Sequence, residues 1–306
     1  MYRMKKNLLL FLAFLFPFIS CSSEPAAEGQ TTVEEDVVVE DGNSLLWKIE
    51  GKDAVTSYMY GTMHMINAEY YNMTENMIKK IQSSKAIIME VGGMPSPVET
   101  YQMMSLDSGT VHRYFTKEQM GQILEFFDKE LGTPPDSFHK MYGGMKPFFI
   151  LQALSQGYFD EGAKSYDLDI MGLAAEKDIP LVGLETIEEQ LGFFDAVPQE
   201  KMAEMIIQGI EGYEDEKKST KKLMKLYASQ KVEKFIPLMN KQSPEFMEFE
   251  DIFLYDRNKR WIPKIEKEIA DKQCFIAVGA AHLFGDGGVI DLLRKEGYTV
   301  TAISTE

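Results

Sequence analysis

The sequence predicts an α/β fold: a mixed sheet covered by helices, with a long helical insertion ahead of its last strands. Three observations carry this. Short apolar runs alternate with helical segments at both ends of the folded part, and a strand–helix–strand unit closes the chain. Between them, Pro198 to Lys272 is helical in pattern almost throughout, with Lys and Glu dense on its outer faces. Strands that alternate with helices bury a sheet under helical layers and favour parallel pairing.

Taken in order, Leu45–Glu50 and Val55–Tyr60 are β-prone runs separated by Gly51-Lys52-Asp53, which reads as a hairpin. Thr74 caps a helical segment to Ser84 whose Met77, Ile78 and Ile81 recur at helical spacing. Ala86–Val91 is a buried-type strand. Helical period returns through Lys117–Leu131, Lys146–Gly157 and Tyr166–Lys177, and Pro180–Leu184 is a further short strand. After the insertion come the strand Cys274–Val278, a helix within Gly287–Glu296 and the strand Tyr298–Ile303. Many of the twenty methionines lie in the helical segments, where they read as adaptable core filler.

The first twenty residues stand apart from this fold. Arg3, Lys5 and Lys6 precede the apolar run Leu8–Ile19, which is a secretory signal and too short for a comfortable membrane span. The run ends in Phe18-Ile19-Ser20-Cys21, and a small residue before cysteine is how bacterial lipoprotein signals end; Phe18 stands where leucine is usual. Cys21 is therefore the expected lipidation site, with Ser22 after it pointing to the outer membrane of a bacterial envelope. Residues 21–43 read as an acidic flexible linker: Ser22–Asn43 holds seven acids and no base, and such a stretch cannot bury enough apolar surface to offset its ordering entropy. Its deletion is expected to leave stability unchanged. Residues 44–306 are the expected folded domain, near the upper size for a single core.

Charge and cysteine count narrow the possibilities. The chain carries a net charge of −16, and loss of the three signal-peptide bases takes it to −19. That excess of acid argues against nucleic acid, or an anionic lipid surface, as a partner held by charge. With Cys21 modified, Cys274 is the only thiol left, so no intramolecular disulfide can form. It opens the apolar run Cys274–Val278 and reads as an inert buried residue.

Of four histidines, two share one local context. Tyr58-Met59-Tyr60-Gly61-Thr62-Met63-His64 and Ile276-Ala277-Val278-Gly279-Ala280-Ala281-His282 each run an apolar strand into glycine, with histidine three residues on. Glycine lets the chain leave the strand in conformations other residues resist. The histidine then projects from the strand's carboxyl end, where α/β sheets bind ligands. A third group is offered the same way: Ala86-Ile87-Ile88-Met89 leads into Glu90. A lone buried carboxylate is costly unless it is paired or binds a cation. Two imidazoles and a carboxylate are a common set for zinc, manganese, iron or cobalt with positions left open to water.

These residues carry a family resemblance. Tyr60-Gly61-Thr62-Met63-His64, Met89-Glu90-Val91 and Val278-Gly279-Ala280-Ala281-His282-Leu283-Phe284-Gly285 resemble the TraB/PrgY/GumN family, which includes the animal Tiki proteins. Further matches are Lys146-Pro147, Asp167 seven residues before Ala174, Leu184-Glu185-Thr186 with Gln190, and Asp256-Arg257-Asn258. The resemblance spans Ser44 to Ile303. It implies a fold related to the erythromycin esterases, ChaN and the Tiki proteins, and a metal-dependent peptidase activity on a peptide or protein substrate. His64, Glu90 and His282 would then be both the catalytic set and the metal ligands, working with manganese or cobalt; zinc remains possible.

Other residues have two readings each. Glu185 could orient groups at the same rim or be a helix N-terminal acid favoured by the dipole. Arg257 could hold a substrate carboxylate or pair with Glu90, and Asn258 could add a ligand or hydrogen bond. Asp167 could position an imidazole through a ring N–H or cap a helix. Gly285-Asp286-Gly287-Gly288 is a turn by default, though exposed amides there could bind an oxyanion. His112 and His139 lie in polar loop contexts and receive no role. No His-Glu-x-x-His helix and no Gly-x-Ser-x-Gly elbow is present. Three functions compete: a metal-activated hydrolase, a metal-free hydrolase using histidine and glutamate directly, and a non-catalytic envelope lipoprotein that binds a peptide.

Overall fold

Gly51, Lys52 and Asp53 turn the chain at positive φ angles of 109°, 52° and 60°, and this turn closes a hairpin of β1 (Leu46–Glu50) and β2 (Ser57–Thr62). A computed structural model describes residues 36–93, 96–242 and 249–306. The other strands are β3 (Ala86–Val91), β4 (Leu181–Glu185), β5 (Cys274–Gly279) and β6 (Thr299–Ile303), and the six form one sheet in the order β4-β3-β5-β2-β1-β6. The sheet is mixed. β1 pairs antiparallel with β2 and β6, whereas β2, β5, β3 and β4 run parallel.

Helices cover both faces. α1 (Glu75–Ser83) joins β2 to β3. Between β3 and β4 lie α2 (Pro97–Met104), α3 (Lys117–Leu131), α4 (Pro135–Tyr142), α5 (Pro147–Gln156) and α6 (Tyr166–Glu176). Between β4 and β5 lie α7 (Ile187–Asp195), α8 (Gln199–Glu211), α9 (Tyr213–Ala228), α10 (Val232–Gln242) and α11 (Asp256–Ile269), and α12 (Val289–Lys295) precedes β6. Thr74 caps α1 by accepting from the Met77 amide. Sequence periodicity does not mark α2 and α4, which bury one side chain each, Thr100 and Phe138, and so carry no apolar stripe; nor does it mark α7. Proline at the first turn of α2 and α4 and the Thr186–Glu189 capping box of α7 were their local signals.

Alternation along the strands divides the interior. Tyr60, Ile87, Met89, Phe275 and Ala277 enter one buried cluster, with Phe148, Tyr166 and Tyr227. Met59, Ile88, Ile276 and Val278 enter the other, with Trp47, Trp261 and Leu293. A parallel sheet buried on both faces needs such unbroken apolar strands. Cys274 is a free, buried thiol, and burial pushes its pKa up to about 11.

The expected linker extends less far than its composition indicates. Residues 1–35, with the expected signal and Cys21, lie outside the described residues. Asp36–Asn43, however, is docked. The Val39 amide donates to Ala302 O at 3.0 Å and the Ser304 amide to Val37 O at 2.8 Å, so the segment runs beside β6. Asp36 accepts from Tyr58 Oη at 3.2 Å and pairs with Lys80, which is 8% exposed. Deletion through Glu35 is expected to leave the melting temperature unchanged. Deletion through Asn43 strands the Lys80 ammonium and should cost about 2–3 kcal/mol, a difference read by thermal melting of the two truncations.

Candidate functional site

The strand order brings the three sequence-distant groups together. β5 inserts between β2 and β3, so the winding reverses there, the place where open α/β sheets bind ligands. Gly61 pairs with Val278 and Thr62 with Gly279, which lays the two Gly-x-x-His segments side by side. Glu90 comes from β3 on the other side of β5. Its Oε1 lies 3.9 Å from His64 Nε2 and 3.8 Å from His282 Nε2, and accepts the Gly279 amide at 2.8 Å.

The glycines serve a different purpose from the one expected. Neither Gly61 nor Gly279 has a positive φ, so any residue could follow that backbone. Space decides instead. A Cβ on Gly61 would fall 2.9 Å from Leu283 Cδ1 and 3.1 Å from Ala280 Cα, and one on Gly279 would fall 3.2 Å from Glu90 Oε1 and 3.4 Å from His64 Nε2. Gly279 thus leaves the gap into which the three side chains converge.

Each histidine is oriented from behind. His64 Nδ1 lies 2.8 Å from Asp167 Oδ2, and Asp167 Oδ1 also accepts from Thr62 Oγ1 at 3.2 Å. Ser165 caps α6, leaving the Asp167 carboxylate to the imidazole. His282 Nδ1 lies 2.7 Å from Asn258 Oδ1. The Asn258 amide nitrogen donates to His282 O at 3.2 Å and Gly287 O at 3.0 Å. That fixes its oxygen as the acceptor, so His282 carries its proton on Nδ1 and turns the Nε2 lone pair inward. Trp261 closes the far side, its ring 4.4 Å from that of His282.

Arg257 fills the floor. Its Nη2 donates to Glu90 Oε2 at 2.6 Å and to Glu185 Oε1, its Nε to Glu185 Oε2 at 3.2 Å, and its Nη1 to Phe253 O at 3.0 Å. Nη1 also lies 3.2 Å from His282 Nε2. The backbone ahead of α11 is a π-helical turn, Asp251–Tyr255, a feature often found at functional sites. Gln190 Nε2 bridges Glu90 Oε2 at 3.1 Å and Glu185 Oε1 at 3.3 Å, and Trp261 Nε1 donates to Glu185 Oε2 at 3.3 Å. Glu185 therefore serves the site, and Thr186 caps α7 in its place.

Gln190 and Trp261 were assigned no role from sequence. Trp261 follows Arg257 by one helical turn on the same face, and that spacing is the signal that could have found it. Gly285-Asp286-Gly287-Gly288 forms the turn expected by default. The Gly287 amide donates to Asp291 Oδ2 at 2.9 Å and the Gly288 amide to Gly285 O at 3.0 Å. With Gly285 and Gly287 at φ of 83° and 84°, the segment is a turn and those amides are occupied. His139 lies on α4 rather than in a loop, and His112 Nε2 sits 3.2 Å from its Nδ1.

Burial and charge set the protonation states. Burial opposes ionisation of Glu90, but His282, Arg257, His64 and the Gly279 amide outweigh it and hold the carboxyl down to about 2. Burial, countered by Glu90 and reinforced by Arg257, lowers His282 to about 3. His64 is raised: burial lowers it, but Asp167 and Glu90 prevail. Burial raises Glu185 despite Arg257.

For His282 the sign gives a prediction. In metal-free protein, the unfolded chain binds a proton here below about pH 6.5 that the folded chain refuses until about pH 3. Stability from this residue is present above pH 6.5 and lost on acidification. The Glu90 contribution is lost only below its unfolded value, and that of His64 is fully present below pH 6.5. Glu185, raised by burial, gains stability over the same window in both proteins, so in chelator the wild type should lose more melting temperature between pH 6.5 and 4.5 than His282→Gln does.

The donor types suit a divalent cation, and holding one would need two adjustments. Two inward Nε2 atoms face one carboxylate oxygen, and Glu90 and Glu185 bring two buried carboxylates against a single guanidinium. That imbalance favours a cation. As placed, no group of three or more His, Cys, Asp or Glu side chains is drawn in to metal-ligand spacing among the described residues. Ligation would draw the three together and displace Arg257 Nη1 from His282 Nε2.

Fold and site define a class: an α/β protein whose central parallel strands present a buried His–Glu–His cluster, backed by arginine, at their carboxyl ends. The chain belongs to the TraB/PrgY/gumN family, whose family model matches residues 45–302. It is similar to the uncharacterized protein YbaP of Shigella flexneri, 21% identical over 244 residues, covering 78% of this chain and 88% of that protein. The uncharacterized protein YbaP of Escherichia coli (strain K12) is 21% identical over 243 residues, covering 78% of this chain and 87% of that protein. No solved structure matches the chain significantly. Among the described residues, no helix is long and apolar enough to cross a membrane.

Proposed function

We propose that this chain is a metal-dependent hydrolase of peptide or amide bonds, working in a bacterial cell envelope and anchored there by lipid on Cys21. The observation that carries the reading is the approach of His64 Nε2 and His282 Nε2 to one oxygen of Glu90, at 3.9 and 3.8 Å. His64, Glu90 and His282 would hold the ion; manganese or cobalt is the choice the family resemblance implies, with zinc as the alternative. A bound divalent cation supplies Lewis-acid polarisation of a scissile carbonyl and of the attacking water. Asp167 and Asn258 hold the imidazoles by their Nδ1 atoms, so both Nε2 atoms face inward. Arg257 and Gln190 hold Glu90 by Oε2 and leave Oε1 as its working oxygen. Burial keeps bulk water from the cluster, which strengthens each of these interactions.

A second reading keeps the hydrolase without the metal. It is favoured by Arg257 Nη1 already standing on His282 Nε2, and by the raised proton affinity of His64 beside Asp167. There His64 takes the proton of the attacking water, and Asp167 stabilises the imidazolium.

One experiment separates these. Protein lacking residues 1–20, with Cys21→Ser, is analysed for manganese, cobalt and zinc and incubated with a peptide library with and without chelator. Near-stoichiometric metal and chelator-sensitive cleavage are expected. Cleavage indifferent to chelator, without metal, shifts the assignment to His64 as base; no cleavage at all leaves a binding protein. In cells, Cys21→Ser should move the protein from the membrane to a soluble fraction, because lipid chains supply its membrane affinity.

A further inference from the structure

We propose that Glu185 governs how tightly the His64–Glu90–His282 cluster holds a divalent cation, by holding the Arg257 guanidinium beside it; this rests on reading that cluster as a metal site. The five N–H groups of Arg257 divide into two sets. Three fasten it to the scaffold: Nε and one Nη2 hydrogen grip the two oxygens of Glu185, and one Nη1 hydrogen meets Phe253 O at 3.0 Å. The other two reach into the cluster, to Glu90 Oε2 at 2.6 Å and His282 Nε2 at 3.2 Å. An ion that takes His282 Nε2 must displace the last of these and then sit close to a guanidinium.

Glu185 answers both demands. Its charge offsets that of Arg257, lowering the repulsion a divalent cation meets. Its two-point grip also keeps the guanidinium on Glu90 Oε2 and away from Oε1, the oxygen that faces the two histidines. Glu185 is itself well fixed, 6% exposed, with Trp261 Nε1 at 3.3 Å and Gln190 Nε2 at 3.3 Å. In Glu185→Gln the guanidinium keeps its charge and loses the compensating charge and one of its two acceptors. Arg257 then competes with the ion for Glu90 and His282. Glu185 need never touch the ion to exert this effect, so it is a positioning residue.

The test uses full-length protein and manganese alone, with affinity read by isothermal titration and by thermal shift. Glu185→Gln should bind manganese at least tenfold more weakly, the usual scale for groups behind metal ligands. The double variant Glu185→Gln/Arg257→Met removes both charges and should recover to within a factor of about three of wild type. A merely structural role predicts the opposite, that the second lesion worsens the first. Trp261→Phe, which keeps the ring beside His282 and removes one donor to Glu185, is a milder variant should Glu185→Gln not fold, and should show an intermediate loss. Unchanged affinity in the foldable single variants, or no recovery in the double variant, overturns the inference and leaves the metal reading standing. A wild-type protein that binds neither manganese, cobalt nor zinc overturns both.

Discussion

Replacement of His64, Glu90 or His282 by alanine is expected to abolish chelator-sensitive cleavage, with losses of at least about a thousandfold, as removal of a member of an interdependent catalytic set does elsewhere. Manganese should raise the melting temperature of the wild type by mass action and leave each variant unmoved. Stability should separate the three. His64 is part-exposed at 19% of its side chain, so its loss should cost about 1 kcal/mol or less. His282 is fully buried against Trp261, and His282→Ala leaves a cavity worth about 2–3 kcal/mol. Glu90→Ala leaves Arg257 paired with Glu185, so the buried charge stays compensated. Retained cleavage in any folded variant removes that residue from the catalytic set.

Arg257→Met should be the most destabilising of the single changes considered, by about 3–5 kcal/mol, because it leaves two buried carboxylates facing each other without their cation. Glu90 and Glu185 are 5% and 6% exposed, and both lean on the same Nη2. The melting temperature should drop on the order of 10 °C. Adding Glu185→Gln should restore part of it, since it removes one of the two uncompensated carboxylates and leaves Glu90 to the Gly279 amide and Gln190. A loss that is the same with or without Glu185 would mean that Arg257 stabilises the fold through its contacts with Phe253, Phe193 and Trp261 rather than through charge.

Much of the site is legible along the chain because its signals are local. An apolar strand ending in Gly-x-x-His, twice, and a strand ending in a carboxylate mark His64, His282 and Glu90 without any knowledge of neighbours. Asp167 and Asn258 were legible only as options. Asp167 sits in the first turn of α6, where an acid suits the helix dipole equally well, and only packing against His64 assigns it. Gln190 lies on the first turns of α7, which periodicity did not mark, and its bridge between Glu90 and Glu185 joins residues far apart in the chain, so it was not legible. The acidic segment before Ser44 shows the converse failure. Its composition describes an unfolded tether, but an edge strand and a buried lysine give Asp36–Asn43 partners that composition does not contain.

What the sequence by itself determined is which residues stand at strand ends, since periodicity, glycine and capping act within a few residues of one another. The tertiary structure alone decided that β5 inserts between β2 and β3, which turns three separate strand ends into one cluster. It also decided that Gly61 and Gly279 are required for space and not for backbone angle, because the atoms that crowd them come from the neighbouring strand's exit. And it decided that Arg257 stands between Glu90 and Glu185. Charge compensation depends on distance through the fold, and distance along the chain carries no record of it.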